Sequence, residues 1–471
     1  MHPNKIFFLL FFFMFFGNTA VTAQVYYSGE IQLKALIAQD GELPFWMYHN
    51  QRGRIFQETD LSGYLGGLAG YRAGMIDITA GAGAFFVNGS KSNSYLDEFY
   101  VAAGYSWFEV VLGQRQREEF YKGLSAANES ILWSLNSRPL PGLKLGTRRP
   151  VYLDEAKRLG FEMTWEEYLL GEDRYVRNAH LHHKRISFIW NFEPGWQLRA
   201  GIRHFAIWGG ESPAAGKLPE SIEDYLRVIT GQGGGDTALE TDQLNVLGSH
   251  LGSYELSLTK QFNSGSLTFL FNSIFEDGSG SRGANFPDGR YGVFFSGSEE
   301  NKLINGMIYE FYYLKDQSQT LPHLYDNYFN NGVYASGWTN NGRVMGLPFV
   351  TPNYYEDYPP GPSVVRIGNN NLLAHHIGVS GVIINNLPYK LLLSYRRNYG
   401  HYKNITGVGK FIYYAPDDPR GLYVIPSEVF SAYTNFTVLQ SPVNINLELG
   451  TDLSAEENKL GAGVSVRYTI P

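Results

Sequence analysis

The side chains best suited to chemistry gather in the run HLHHK at 180–184. On a strand His180 and His182 project to one face and His183 to the other, a spacing that offers two imidazoles to a metal. Two ligands without a third make a weak site, and hydrogen bonds from these rings to Asp173 or other carboxylates are the plainer expectation. The same holds for His204 and for the pair His375 and His376. The run FEDGSGSRG places Glu276 and Asp277 beside glycines, as a calcium loop would, yet it lacks the EF-hand spacing and the closing bidentate Glu. No G-x-S-x-G elbow occurs, and GGESPAAGKL misses the phosphate-loop pattern in both its spacing and its final Ser/Thr. A non-enzymatic protein without metal or cofactor is expected.

Sugar recognition asks for different residues: aromatic faces against C–H surfaces, and planar Arg, Asn or carboxylate groups for hydroxyls. Two stretches hold both. HLYDNYFNNGVYASGWTNNGR supplies Tyr325, Asp326, Asn327, Tyr328, Tyr334, Trp338 and Arg343, and PNYYEDY supplies Tyr354, Tyr355 and Asp357. Taken singly, each tyrosine also suits a girdle or a loop core; as a group they are the glycan-binding candidates. Arg138, Arg174, Arg203 and Arg396 are expected elsewhere, in an internal charge ladder with Glu255 and Glu448, because a buried charge needs a partner.

The elements that must position these groups read as strands. In PVNINLELGTD, Val443, Ile445, Leu447 and Leu449 alternate with Asn444, Asn446, Glu448 and Gly450. In KLGAGVSVRYTIP, Leu460, Ala462, Val464, Val466, Tyr468 and Ile470 oppose Lys459, Gly461, Gly463, Ser465, Arg467 and Thr469. Segments near Ile31, Phe108, Tyr254 and Leu267 follow the same period of two. A soluble sheet would turn the oily face inward, whereas a membrane barrel turns it to lipid and lines its lumen with the wet one.

The start of the chain helps to choose between them. Lys5, an apolar run from Ile6 to Phe16, and small residues at Val21 and Ala23 predict a secretory signal cleaved after Ala23. That run is too short for a bilayer of about 30 Å, which needs about 20 apolar residues, and no other apolar run is long enough. A membrane form of this exported chain must then be a barrel, in the outer membrane of a Gram-negative bacterium. Residues 1–23 are assigned to the signal and 24–471 to one all-β, antiparallel transmembrane barrel. Its partners are membrane lipid and, during biogenesis, the barrel assembly machinery.

Composition agrees. Tyr 33, Phe 31, Trp 8 and Gly 53 suit aromatic girdles and tight turns. The absence of Cys rules out disulfides, Cys metal sites and an N-terminal lipidated Cys, while a net charge of −7 offers no footprint for nucleic acid. EPGW, NSGS, NNLPYK and LQSP read as short turns; FEDGSGSRGANFPDGRYG and TPNYYEDYPPGPS read as long loops. At about 25 residues per strand and connection the chain holds roughly 16–18 strands. One short helix is predicted near 221–230: Ser221 caps it, Asp224 completes the box, and Gly231 stops it. With Ile222, Tyr225, Leu226 and Ile229 on one face, it is expected to lie on the barrel wall, inside or at a rim, as a partial plug or lid.

Several runs then resemble a known family. LPFWMYHNQRGRI (43–55), SRPLPGLKLG (137–146), DRYVRNAHLHHK (173–184), RHFAIWGG (203–210), LGSHLGSYELSL (247–258), GWTNNGRVMGLPF (337–349), AHHIGV (374–379) and LLLSYRRNYGHY (391–402) are similar to the capsule assembly Wzi family in the form found in Bacteroidota. The resemblance spans nearly the whole mature chain and implies an outer-membrane barrel of about 18 strands. It implies a lectin-like role, keeping capsular polysaccharide at the cell surface. The enterobacterial type begins with a helical bundle, whereas EIQLKALIAQ already reads as a strand here. A diffusion channel and an outer-membrane hydrolase are the alternatives from other classes.

Overall fold

The computed structural model describes residues 23–470 apart from 90–92, 279, 318–325, 356–363 and 401–425. The expected signal segment, apart from Ala23, thus lies outside the described residues. One sheet dominates, and it closes on itself. Its strands are β1 Ala23–Ala38, β2 Thr59–Ala73, β3 Ile76–Gly89, β4 Asn93–Tyr105, β5 Phe108–Gln114, β6 Gly142–Thr147, β7 Leu159–Leu169, β8 His180–Glu193 and β9 Trp196–Trp208. They continue as β10 Ser249–Phe262, β11 Gly265–Ser273, β12 Gly289–Gly297, β13 Gly306–Leu314, β14 Leu372–Ile383, β15 Leu387–Asn398, β16 Ser427–Leu439, β17 Val443–Ser454 and β18 Asn458–Ile470.

Each strand pairs antiparallel with the next, and β1 pairs with β18 (Gly29 opposite Ile470), so no edge is left open. The sheet has 19 hydrogen-bonded segments, but Val151–Tyr152 only prolongs β6 along β7, which leaves an 18-strand wall. That is the upper end of the expected range.

Strand period sets what each face meets. On β17 Leu447 is 42% exposed on the outside, while its neighbour Glu448 is 2% exposed inside. Leu460, Val464, Val466, Tyr468 and Ile470 of β18 also face out, and Ser465 faces in. The oily side of the wall is therefore its outer side, in keeping with a barrel whose outward band meets lipid. Among the described residues no helix is long and apolar enough to cross a membrane. The four sequence-read turns (Pro194–Gly195, Asn263–Ser264, 384–386 and 440–442) all connect strands at one rim. The long connections, including 115–141, 209–248, 274–288 and 315–371, leave from the other.

Those long connections do not stay outside. Helix α1, Phe45–Tyr48, and the segments around Leu124–Leu135 and Tyr328–Val350 fold into the lumen, where they join the wall's inward residues in one hydrophobic core. The wall makes room with glycine. A Cβ on Gly450 would come within 2.8 Å of Met47 Cγ, and one on Gly461 within 2.7 Å of Pro44 Cδ. The predicted helix is present as α2, Ile222–Thr230, with the Ser221/Asp224 capping box and Gly231 in the left-handed conformation. It lies against the barrel wall, as expected, but on the outer side. Val228 and Tyr225 pack with Ala206, Trp208 and Leu247, a cluster separate from the lumen core that holds Phe205 and Ile207. Alternate residues of β9 thus serve the two sides of the wall, and α2 lies on the outer side. It is neither plug nor lid. A second short helix in this loop, α3, spans Glu240–Leu244.

Candidate functional site

The lumen is divided across its length. Under the long-loop rim it is a packed stopper, sewn to the wall by buried polar contacts. The N–H of Phe45 donates to Asp452 of β17 at 2.8 Å, and Trp46 Nε1 donates to Ser394 of β15 at 2.9 Å. Glu310 of β13 accepts from the N–H of Ala126 (2.8 Å) and from Ser125 Oγ (2.7 Å), and His376 of β14 bonds the Leu124 carbonyl at 2.7 Å. The inserts 115–141 and 315–371 also hold each other: Trp338 Nε1 donates to the Leu132 carbonyl at 2.7 Å, and Ser134 Oγ to that of Gly346 at 2.7 Å.

Toward the short-turn rim the lumen opens into a charged cavity of about 800 Å³, reaching Lys144, Arg148, Glu162, Arg199 and Thr268. A smaller one of about 480 Å³ lies among Gln32, Lys34, Arg54, Glu98 and Arg467. Between cavity and stopper stands a ladder. Arg203 binds Glu255 (2.8 Å) and Glu129 (3.0 Å); Arg185 binds Glu129 and lies 3.6 Å from Glu162, which also pairs with Arg199. Glu129 belongs to a loop, not to the wall, so these pairs fasten stopper to strand. Burial works against its charge, but the Arg185 and Arg203 guanidiniums outweigh that and hold its carboxyl well below the usual range.

The expected ladder is present in part. Arg203 and Glu255 pair as read, and Glu448 pairs with Lys34 at 2.9 Å. Arg174, Arg138 and Arg396 are corrections. Arg174 donates to the backbone carbonyls of Gly337 (2.9 Å) and Thr339, so it pins a loop. Arg138 lies 3.4 Å over the Tyr95 ring, and Arg396 3.8 Å over Phe45. Each gains a carbonyl or an aromatic face in place of the expected carboxylate. Burial lowers Arg174 and Arg343 to about 10, which leaves both charged at neutral pH. The sequence offered no pointer to Glu129, which sits on a loop, and the expected ladder also left out Arg185, Glu162 and Glu310. For the strand residues, inward position combined with charge was the usable signal.

The glycan candidates divide. Tyr328, Tyr334, Trp338 and Arg343 are buried in the stopper, with Arg343 bonding the Tyr48 and Ile55 carbonyls. Their surfaces are spent on packing, so they are structural here. Tyr325 and Asp357 lie outside the described residues, as does the side chain of Tyr355. Asp326 and Asn327 are half-buried at the loop surface, and Tyr354 is 64% exposed on the hairpin Thr351–Tyr355/Val364–Asn369. Around them asparagine amides are fixed. Asn327 Oδ1 accepts from Asn330 (3.2 Å) and Asn370 (2.7 Å), Asn340 accepts from the N–H of Gly171 (3.0 Å), and Asn331 caps the N–H groups of Val333 and Tyr334. Asn340 and Asn370 are themselves buried, so of these amides only Asn327, Asn330 and Asn331 reach the loop surface, where planar amides and an exposed ring such as Tyr354 suit sugar hydroxyls and C–H faces.

His182 and His183 bond Glu167 and Glu166, each at 2.6 Å, His204 bonds His250 at 2.9 Å, and His375 bonds Tyr309 at 2.9 Å. The carboxylate partners are these two glutamates and not Asp173. Each of these histidines bonds its neighbour through one ring nitrogen, while His182 Nε2, His183 Nε2 and His204 Nδ1 are buried without a hydrogen-bond partner among the described residues. Among the described residues no group of three or more His, Asp or Glu side chains could hold a metal.

The family model for capsule assembly protein Wzi matches residues 25–349. The chain belongs to the Wzi family. In fold it is similar to Wzi of Escherichia coli, described as an outer-membrane protein involved in group 1 capsule assembly and a carbohydrate-binding β-barrel. The TM-score is 0.57 at 14% identity, over 93% of this chain and 83% of that one. OccAB4 of Acinetobacter baumannii (TM-score 0.46, 10% identity, 94% and 97% covered) and OccD3 of Pseudomonas aeruginosa (0.45, 10%, 96% and 93%) also match. No curated protein matches the sequence. The runs AHHIGV and LLLSYRRNYGHY lie beyond the matched stretch; residues 374–379 are on the wall strand β14 and 391–398 on β15, while His401 and Tyr402 lie outside the described residues.

Proposed function

We propose that this Wzi-family barrel is a non-enzymatic outer-membrane factor that binds capsular polysaccharide through its long-loop surface and keeps it on the cell. The observation that carries this reading is the stopper. The lumen is packed solid beneath the loops, with amide-rich turns and Tyr354 above it, so the loop face is built as a surface to be bound and not as a mouth to be crossed. Family membership and the fold shared with a carbohydrate-binding relative support the same reading. The long loops then face the outside of the cell and the short turns the periplasm. The signal segment at residues 1–23, insertion by the barrel assembly machinery and a surrounding shell of lipid complete it.

The test is the ratio of cell-bound to shed capsular polysaccharide in a strain lacking the protein, with total polymer measured alongside. Retention predicts unchanged total and a larger shed fraction, restored by the wild-type chain. An unchanged ratio would remove the proposal.

A further inference from the structure

Helix α2 is three-sided. At about 100° per residue its positions fall into three groups of three. Asp224, Tyr225 and Val228 turn to the wall, with Asp224 and Val228 buried. Glu223, Arg227 and Thr230 form a polar side, on which Glu223 and Arg227 pair at 2.8 Å. The third side is apolar and uncovered: Ile222 is 82% and Leu226 54% exposed, with Ile229 half-buried beside them. In water such a stripe is a liability, and a short helix gains its stability from what its apolar side touches.

The wall beneath α2 is unusual too. Glu167, His182, Lys184, His204 and His250 share the outward face with lipid-facing residues such as Met163, Ile186 and Ile202. Polar groups there cannot meet hydrocarbon uncovered. The helix covers them: Tyr225 OH donates to Glu167, Trp165 Nε1 donates to Tyr225 OH at 3.1 Å, and Lys184 Nζ donates to the Ile229 carbonyl. The Tyr225 ring meets Trp208 at 5.3 Å and His182 at 5.9 Å. Toward the short-turn rim, Ile202 and Ile186 resume the bare apolar band.

We propose that α2 is an interfacial helix, lying where the barrel leaves the outer leaflet and dipping Ile222, Leu226 and Ile229 among the lipid chains. A helix with one protein-facing, one apolar and one charged side needs protein, hydrocarbon and water at once. The junction of barrel wall and bilayer surface supplies all three. The Ile229 end of the stripe is held beside Lys184, two residues along β8 from the lipid-facing Ile186, which selects lipid over a second protein as its occupant. The inference rests on the barrel's spanning a bilayer and is independent of what the loops bind.

The chain lacks cysteine, so single Cys probes report without background. Full-length Ile222→Cys, Leu226→Cys, Glu223→Cys and the wall control Leu447→Cys would carry an environment-sensitive fluorophore in phosphatidylcholine vesicles. Quenching is then read from nitroxide-bearing lipid and from aqueous iodide. Quenching by lipid at 222 and 226 of at least half that at 447, with several-fold greater iodide access at 223, is the expected result. Probes at 222 and 226 that iodide reaches as readily as 223 would overturn the proposal. So would probes that neither quencher reaches, since a protein partner would then cover the stripe. Adding Leu226→Asp to Ile222→Cys should raise iodide access at 222 several-fold while the barrel stays heat-modifiable on gels; unchanged access would also count against it.

Discussion

Lys34 on β1 reaches across β18 to Glu448 on β17, 2.9 Å away, with both side chains buried. The strand between them offers Gly463 opposite Glu448, where a Cβ would come within 3.1 Å of Glu448 Cγ. Tyr433 OH also donates to Glu448 at 3.1 Å. The pair therefore spans the seam that closes the cylinder. Removing one partner leaves the other charged and buried, which costs about 3–5 kcal/mol, whereas replacing both by apolar residues is far milder. Glu448→Gln and Lys34→Met should each lower the temperature at which the folded band converts on semi-native gels, and the Lys34→Met/Glu448→Met double variant should recover most of the loss. Additive losses would contradict a coupled pair.

Adjacent residues on β17 should respond oppositely to charge. Leu447→Arg places a guanidinium among lipid chains and should cost about 2–4 kcal/mol near the midplane. Asn446→Arg extends into a polar lumen, where Asn446 now bonds Thr437 (2.7 Å) and Ser465 (3.3 Å), and should be mild. Folded yield in outer-membrane fractions measures both; equal harm would refute the facing.

Glu129 ties the stopper to Arg185 and Arg203, and its pH response follows from its lowered carboxyl. A depressed value means the anchor is fully present above the ordinary 4.5 and is lost only as pH falls through the lower folded value. Single-barrel conductance in planar bilayers should stay low and flat from neutral pH to about 5 and rise only in stronger acid. Glu129→Gln should raise conductance already at neutral pH.

Tyr354 and Trp338 separate binding from packing. Trp338→Ala empties a fully buried site and should cost about 3–5 kcal/mol in the stopper, seen as greater protease access to the loops. Tyr354→Ala removes an exposed ring and should leave protease resistance unchanged while increasing the shed fraction of capsule. Normal retention by Tyr354→Ala would remove this residue from the binding surface.

Much of the wall was legible because strand side chains alternate with a fixed period. Val443 to Leu449 and Leu460 to Ile470 declare both faces, and once export was inferred the outward one followed. The α2 cap was legible for the same local reason. The stopper was not. Trp338 stands in an asparagine-rich run with no period, and its direction is set by a carbonyl at Leu132, 206 positions away. Hence the run reads as a display loop although most of its aromatics are core. The face of α2 was misread because Tyr225 was grouped with Ile222 and Leu226; only the polar patch on the outer wall divides them.

The bond from Phe45 to Asp452 joins residues 407 positions apart, and Trp46 finds Ser394 across 348. Such contacts form late, since each must wait for a very long loop to close. The first lumenal insert therefore has no seat until the second-last strand exists. Wall is then expected to precede filling, and a chain stalled before β17 would leave α1 without its carboxylate and open to proteolysis.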